Sequence, residues 1–461
     1  MSERPPGDRP SAHDLAATLE LPGRGAATAA AITGASGLGG AYPVSRFAAA
    51  AVGAAALAVA DLTGAPAQAT VSMPLVDAWF SAAVRLRTAQ PSPWDAIAGD
   101  YRAADGWVRL HTNAPAHKAA ALAVLELDAS SDRAAVAAAV RAVRADDLET
   151  AVVAAGGCAA VMRTPGDWQR HPQGIALAAE PLIAVASGEK PATARPMPRG
   201  STHRPLAGLR VLDLTRVLAG PVATRTLALL GAEVLRVDPP AWNEPVLEPD
   251  MTLGKRCARL DARSSEGRAA LLDLLRGADV LVHGYRPGAL DSIGLDAATR
   301  AEVRPGLVEV QISAYGYSGP WAARRGFDSL VQMSTGIADR GMRESGAESP
   351  VPLPVQALDH ATGWLAAAAA LRGVAVARRD GHGSASRLSL ARTALELERW
   401  REALGGGPFA SEPSDELPSR PIDTPWGIVD LIDSPLDLSD AALAAVLPPR
   451  PLGSDAPAWG I

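Results

Sequence analysis

The sequence predicts an α/β protein, with a doubly wound, mostly parallel, Rossmann-like domain joined to a smaller α/β domain. Three observations carry this. From Leu206 onward the chain repeats strand, turn and helix, the pattern of a parallel sheet covered by helices on both faces. A shorter α/β pattern fills residues 98–187, and the linker GEKPATARPMPRGSTHRPL (188–206) separates the two. At 461 residues, the chain is also too long for one ordinary core.

Taken in order, residues 1–40 are rich in Pro, Gly, Ala and Ser and read as disordered or irregular, the first ten as disordered. Residues 41–97 read as a helix–strand–helix unit. Its helix runs from Phe47 to Leu62, closed by Thr63-Gly64, and ATVSMPLVDAWFSAAV (69–84) is a short strand leading into a helix. The apolar run Phe47–Ala60 is too short to span a bilayer and reads as a buried core helix. Displaced by about 317 positions, this unit recurs: Phe47 falls on Trp364, Gly64 on Gly381, Ser72 on Ser389 and Tyr42 on Asp359.

Residues 98–187 hold a strand after the Asp105-Gly106 turn, helices over 118–127, 132–143 and 145–155, a strand at 158–164 and a polar loop at 167–174. Residues 207–404 form the larger domain. Its strands are GLRVLDLT (208–215), AEVLRVD (232–238), DVLVHGY (279–285) and LVEVQISAY (307–315), with helices over 220–231 and 265–278. Residues 405–461 read as a loop-rich tail, with Gly405–Gly407 as a hinge.

Composition excludes several classes. A net charge of −6 gives no reason to expect nucleic acid or an anionic membrane. Cys158 and Cys257 make neither a metal-ligand spacing nor a disulfide framework, so no metal is expected and a cytoplasmic location fits. The terminus MSERPPGDRP lacks the apolar core of a signal peptide.

Six stretches then narrow the reading: LRVLDLTRVLAGP with LLGAEVLRVDPP, LGKRCARLD, YRPGALDSIGLD, ISAYGYSGP, GFDSLVQMSTGIA and LDHATGWLAAAAAL. In this order they resemble the family III CoA-transferases, which also include the α-methylacyl-CoA racemases. Segments of the first half, including YRAADGWVRLHT and DWQRHPQGIALAAEPLI, resemble the part of that family that normally follows the catalytic helix. The domain order therefore looks rearranged, small domain first.

The resemblance implies a CoA-transferase that moves CoA from an acyl-CoA donor to a carboxylic acid acceptor through an aspartyl-CoA thioester. Asp359 falls on the catalytic acid. Val217, Leu218, Ala219, Gly284 and Tyr285 fall on positions along CoA, and Lys255 and Arg256 on cations for its phosphates. CoA enters as substrate, with no prosthetic group, and a homodimer is expected. Ser292 stands where relatives have an arginine, and the glycine-rich loop that shields the intermediate in some transferases is not evident. A racemase needs a second acid–base group, and Phe327 stands where the resembling racemases have histidine. That alternative is disfavoured. A non-catalytic acyl-CoA-binding relative is the other alternative.

Overall fold

The computed structural model describes residues 29–35, 37–64, 68–188, 196–409, 417–438 and 443–460, so the expectation for the first ten residues lies outside the described residues. A seven-stranded sheet forms the centre. Its strands lie in the order Lys255–Arg259, Glu233–Asp238, Arg210–Leu214, Val280–His283, Val308–Ser313, Ser384–Ser389 and Ala184–Ser187. The first six are parallel, and Ala184–Ser187 is an antiparallel edge. Strand order thus reverses beside Arg210–Leu214, the place where such sheets open a crevice at their carboxyl ends.

The central strands are buried along most of their length because helices cover both faces. Ser264 starts the helix Ser265–Gly277 by accepting the Gly267 N–H, and Glu266 lies in its first turn. The helix Ala219–Leu229 follows the first strand directly and is buried at every position.

The longest helix, Ala357–Asp380, is buried without interruption from Ala357 to Leu371. A helix apolar all round belongs inside a protein, and this one lies between Val44–Thr63 and Ala219–Leu229. Small residues permit the close approach. A Cβ placed on Gly363 would lie 2.5 Å from the Ala219 carbonyl oxygen and 2.7 Å from Val222 Cβ. Val44–Thr63, at 20 residues, is longer than its apolar run suggested and long enough to cross a bilayer. Its place is the core, with 89% of its apolar window buried.

The repeated unit is visible in space. Gly64 and Gly381 close the two helices in the left-handed conformation, with φ of 73° and 77°. Strands Gln68–Ser72 and Ser384–Ser389 follow, then helices Met73–Ser81 and Leu390–Leu404. Residues Ala29–Thr33 form a strand parallel to Gln68–Ser72, which corrects the irregular reading of that part of the N-terminus. Its AAAIT sequence lacks the alternation that marks a half-buried strand.

The small unit has its own sheet, Gly99–Arg102, Trp107–Leu110 and Ala159–Val161, packed on helices Pro115–Val124, Arg133–Arg141 and Ala145–Ala154. The expected polar loop at 167–174 is instead parts of two short helices, Pro165–Arg170 and Pro172–Ala178. Each begins with proline at its first position behind a capping side chain, Thr164 for Asp167 N–H and His171 for Gln173 N–H. The tail is also more regular than a loop. Ser419–Thr424 and Gly427–Ile432 form a hairpin that extends Val84–Leu86, and Leu436–Leu438 pairs with Gln68–Ser72.

Candidate active site

The site is built where three elements meet. Asp359 stands in the first turn of Ala357–Asp380, whose N-terminus leaves backbone N–H groups without intrahelical partners. Two of these, on Leu358 and Asp359, are met by the carboxylate of Asp328, and the Asp359 bond is 2.9 Å. Asp328 opens its own helix, Asp328–Thr335, and its other oxygen accepts the Gln332 side-chain amide at 2.5 Å. Gln332 in turn accepts Leu353 N–H at 2.7 Å. The Asp359 carboxylate meets the N–H of Ala219, at the start of Ala219–Leu229.

Two buried carboxyls are thus brought together. Burial first, and then the neighbouring charge of Asp328, raise Asp359 well above the ordinary carboxylate range. Burial likewise pushes Asp328 up to about 6, although Gln332 and the Asp359 and Leu358 N–H groups favour its ionised form. Residue Asp328 carries no sequence signal of its own beyond the GFD triplet and the amide four positions later.

The small unit closes one side. His111 lies flat on Phe327, ring centroids 3.7 Å apart and planes 2° apart, with Nδ1 unpartnered. Burial, helped by the His117 and Arg109 charges, takes His111 down to about 3, so its imidazole is neutral. Glu149 joins the units, accepting Val161 N–H and Arg163 from its own side and Arg324 from the other at 3.0 Å. His360 turns to Phe80, ring centroids 5.0 Å apart.

The other expected site residues divide. Val217, Leu218 and Ala219 form the turn after the first strand, beside Asp359, and Gly284 and Tyr285 follow Val280–His283 on the same edge of the sheet. Val217 adopts φ of 68°, a costly conformation for a β-branched residue. Its N–H is donated to Glu244 at 3.0 Å, and that of Ala219 to Asp359, so neither backbone donor is open to a nucleotide.

Lys255 and Arg256 are a correction. They sit at the amino end of their strand, away from the edge that receives ligands. Lys255 is fully buried, binding Asp213 at 3.1 Å and the Pro221 carbonyl at 2.9 Å. Arg256 turns to the chain end, where it donates to the Ala458 carbonyl at 2.8 Å. A basic pair in an edge-strand sequence does not reveal which end of the sheet it occupies. Arg216, at the carboxyl end of the first strand, was not foreseen: it lies between the rings of Trp242 and Tyr285.

Residues 206–412 match CoA-transferase family III. An acyl-CoA transferase of Gibberella moniliformis is 29% identical over 75% of this chain and 64% of its own length. The succinyl-CoA:glutarate CoA-transferase of Mus musculus is 32% identical over 44% of this chain and 49% of its own. The crystal structure of Rv3272 from M. tuberculosis is 30% identical, covering 42% of this chain and 57% of that one, with a TM-score of 0.40. The chain spans about half the length of several curated relatives it matches.

Proposed function

We propose, with residues 206–412 as a CoA-transferase family III domain, that this protein transfers CoA from an acyl-CoA to a carboxylic acid, with Asp359 as nucleophile. The supporting observation is a buried carboxylate in a helix's first turn, facing the first N–H of a second helix. Such a carboxylate is a strong nucleophile once ionised, because little water solvates it.

In this reading the Asp359 carboxylate attacks the thioester carbonyl, and CoA leaves as thiolate. The thiolate then attacks the Asp359 carbonyl of the mixed anhydride, expelling the donor acid and leaving an aspartyl-CoA thioester. An acceptor carboxylate attacks that thioester, the thiolate returns to the acceptor's acyl carbon, and free Asp359 is regenerated. Ala219 N–H, fixed at a helix start, is suited to hold the charge that develops on oxygen. The homodimer and the cytoplasmic location expected from the sequence belong to the same reading.

Intact-protein mass spectrometry tests it. After brief incubation with a panel of acyl-CoAs, a CoA adduct or, with hydroxylamine, a hydroxamate should appear on the Asp359 peptide and vanish in Asp359→Ala. Tight CoA binding with no adduct and no exchange for any donor would refute transfer and leave a binding protein.

A further inference from the structure

At the carboxyl end of the sheet, beside the first strand, three loops assemble a clamp. Arg216 follows Arg210–Leu214, Trp242 follows Glu233–Asp238 and Tyr285 follows Val280–His283. These are the strands on either side of the order reversal. The Arg216 guanidinium carbon lies 5.0 Å from the Trp242 ring centre and 5.2 Å from that of Tyr285. Among the described residues, no carboxylate lies within ion-pair distance of it.

The clamp is braced from behind. Glu244, itself 8% exposed, accepts Trp242 Nε1–H at 3.0 Å and Val217 N–H at 3.0 Å, and pairs with Arg236. It therefore fixes both the tryptophan and the strained residue next to Arg216. Arg259, at the carboxyl end of its strand, donates to the carbonyls of Pro239, Pro240 and Trp242. The segment between Asp238 and Lys255 is thus a built wall.

A guanidinium held between two aromatic rings, without an acid partner, retains N–H donors for a ligand. That arrangement suits bidentate bonding to an oxyanion. The same turn that carries Arg216 ends at Ala219, whose N–H meets Asp359. One turn therefore carries both a cation and, three residues on, the N–H that meets the candidate nucleophile.

We infer that Arg216, clamped by Trp242 and Tyr285, binds a phosphate of the nucleotide end of CoA, an inference that rests on the transferase reading above. It replaces Lys255 and Arg256, which the fold turns elsewhere. Calorimetry on the full chain separates the possibilities, with CoA, 3′-dephospho-CoA and pantetheine as ligands. Arg216→Ala should weaken CoA about ten-fold or more and leave pantetheine unchanged, while Arg216→Lys, with charge but no plane, falls between.

If the partner is the 3′-phosphate, the alanine variant binds CoA and 3′-dephospho-CoA alike. If it is the diphosphate, both ligands weaken together. An Arg216→Ala protein that binds CoA as tightly as the unmodified one, or that loses pantetheine in parallel, overturns the inference while leaving the transferase reading intact. An unmodified protein with no affinity for CoA overturns both.

Discussion

Asp328 holds the main-chain N–H of Asp359 at 2.9 Å while its charge opposes ionisation of the Asp359 side chain. One carboxylate thus positions the helix start by hydrogen bonding and resists its neighbour electrostatically. Asp328→Asn removes the charge and keeps one of the two acceptor oxygens, so it tests the second effect while retaining part of the first.

Turnover should therefore rise with pH as Asp359 loses its proton, and Asp328→Asn should move that rise to lower pH. A pH profile of kcat/KM checks this; an unshifted profile would show that Asp328 serves only as a helix cap. Stability should run the other way. A carboxyl raised from 3.8 to about 6 in the folded protein favours folding below the lower value and loses that advantage as pH climbs through the upper one. The penalty above pH 6 is about 3 kcal/mol at most, so the Tm of Asp328→Asn relative to wild type should improve between pH 4 and 8.

Gly363 lies one helical turn beyond Asp359, and a Cβ there would collide with the Ala219 carbonyl. Gly363→Ala should separate the two helices and draw the Ala219 N–H away from the Asp359 carboxylate. We expect a stability loss of about 1–3 kcal/mol together with a fall in kcat of ten-fold or more. A variant that melts lower but turns over normally would show that this spacing does not matter to the chemistry.

Glu149→Gln should loosen the small unit. The buried carboxylate serves Arg163 and Arg324 together, and removing its charge leaves two largely buried guanidinium groups undercompensated, at about 3 kcal/mol. Limited proteolysis should then cleave near the join between the units before the large sheet unfolds.

No α-proton exchange is expected. Phe327 carries no proton and the buried His111 stacked on it stays neutral, so neither supplies the racemase histidine's acid–base role. Proton NMR of a 2-methylacyl-CoA incubated with the protein in D2O should keep its α-proton signal, and a loss of that signal would restore the racemase alternative.

Much of this arrangement is legible in the chain. The parallel sheet follows from repeated apolar strands and helix caps, which are local, and Asp359 from the motif that carries it. Asp328 is harder to see as a cap because it acts on a helix 31 residues away. Helix 165–170 is hidden inside a polar stretch, though Thr164 followed by proline is a usable start signal. Lys255 misleads because residue type states charge, whereas only the sheet states which end of the strand it occupies. Arg216, Trp242 and Tyr285 come together solely through the reversal in strand order, which no short window contains.

The pairing of Val44–Thr63 with Ala357–Asp380 also bears on how the protein is made. The first helix leaves the ribosome roughly 300 residues before its partner, an interval on the order of 15–60 s at ordinary elongation rates. For that time the apolar helix lacks the partner that covers most of it. Nascent chains should therefore recruit a holding chaperone until the second helix emerges, and synthesis in a chaperone-depleted extract should yield aggregates seeded by the first hundred residues.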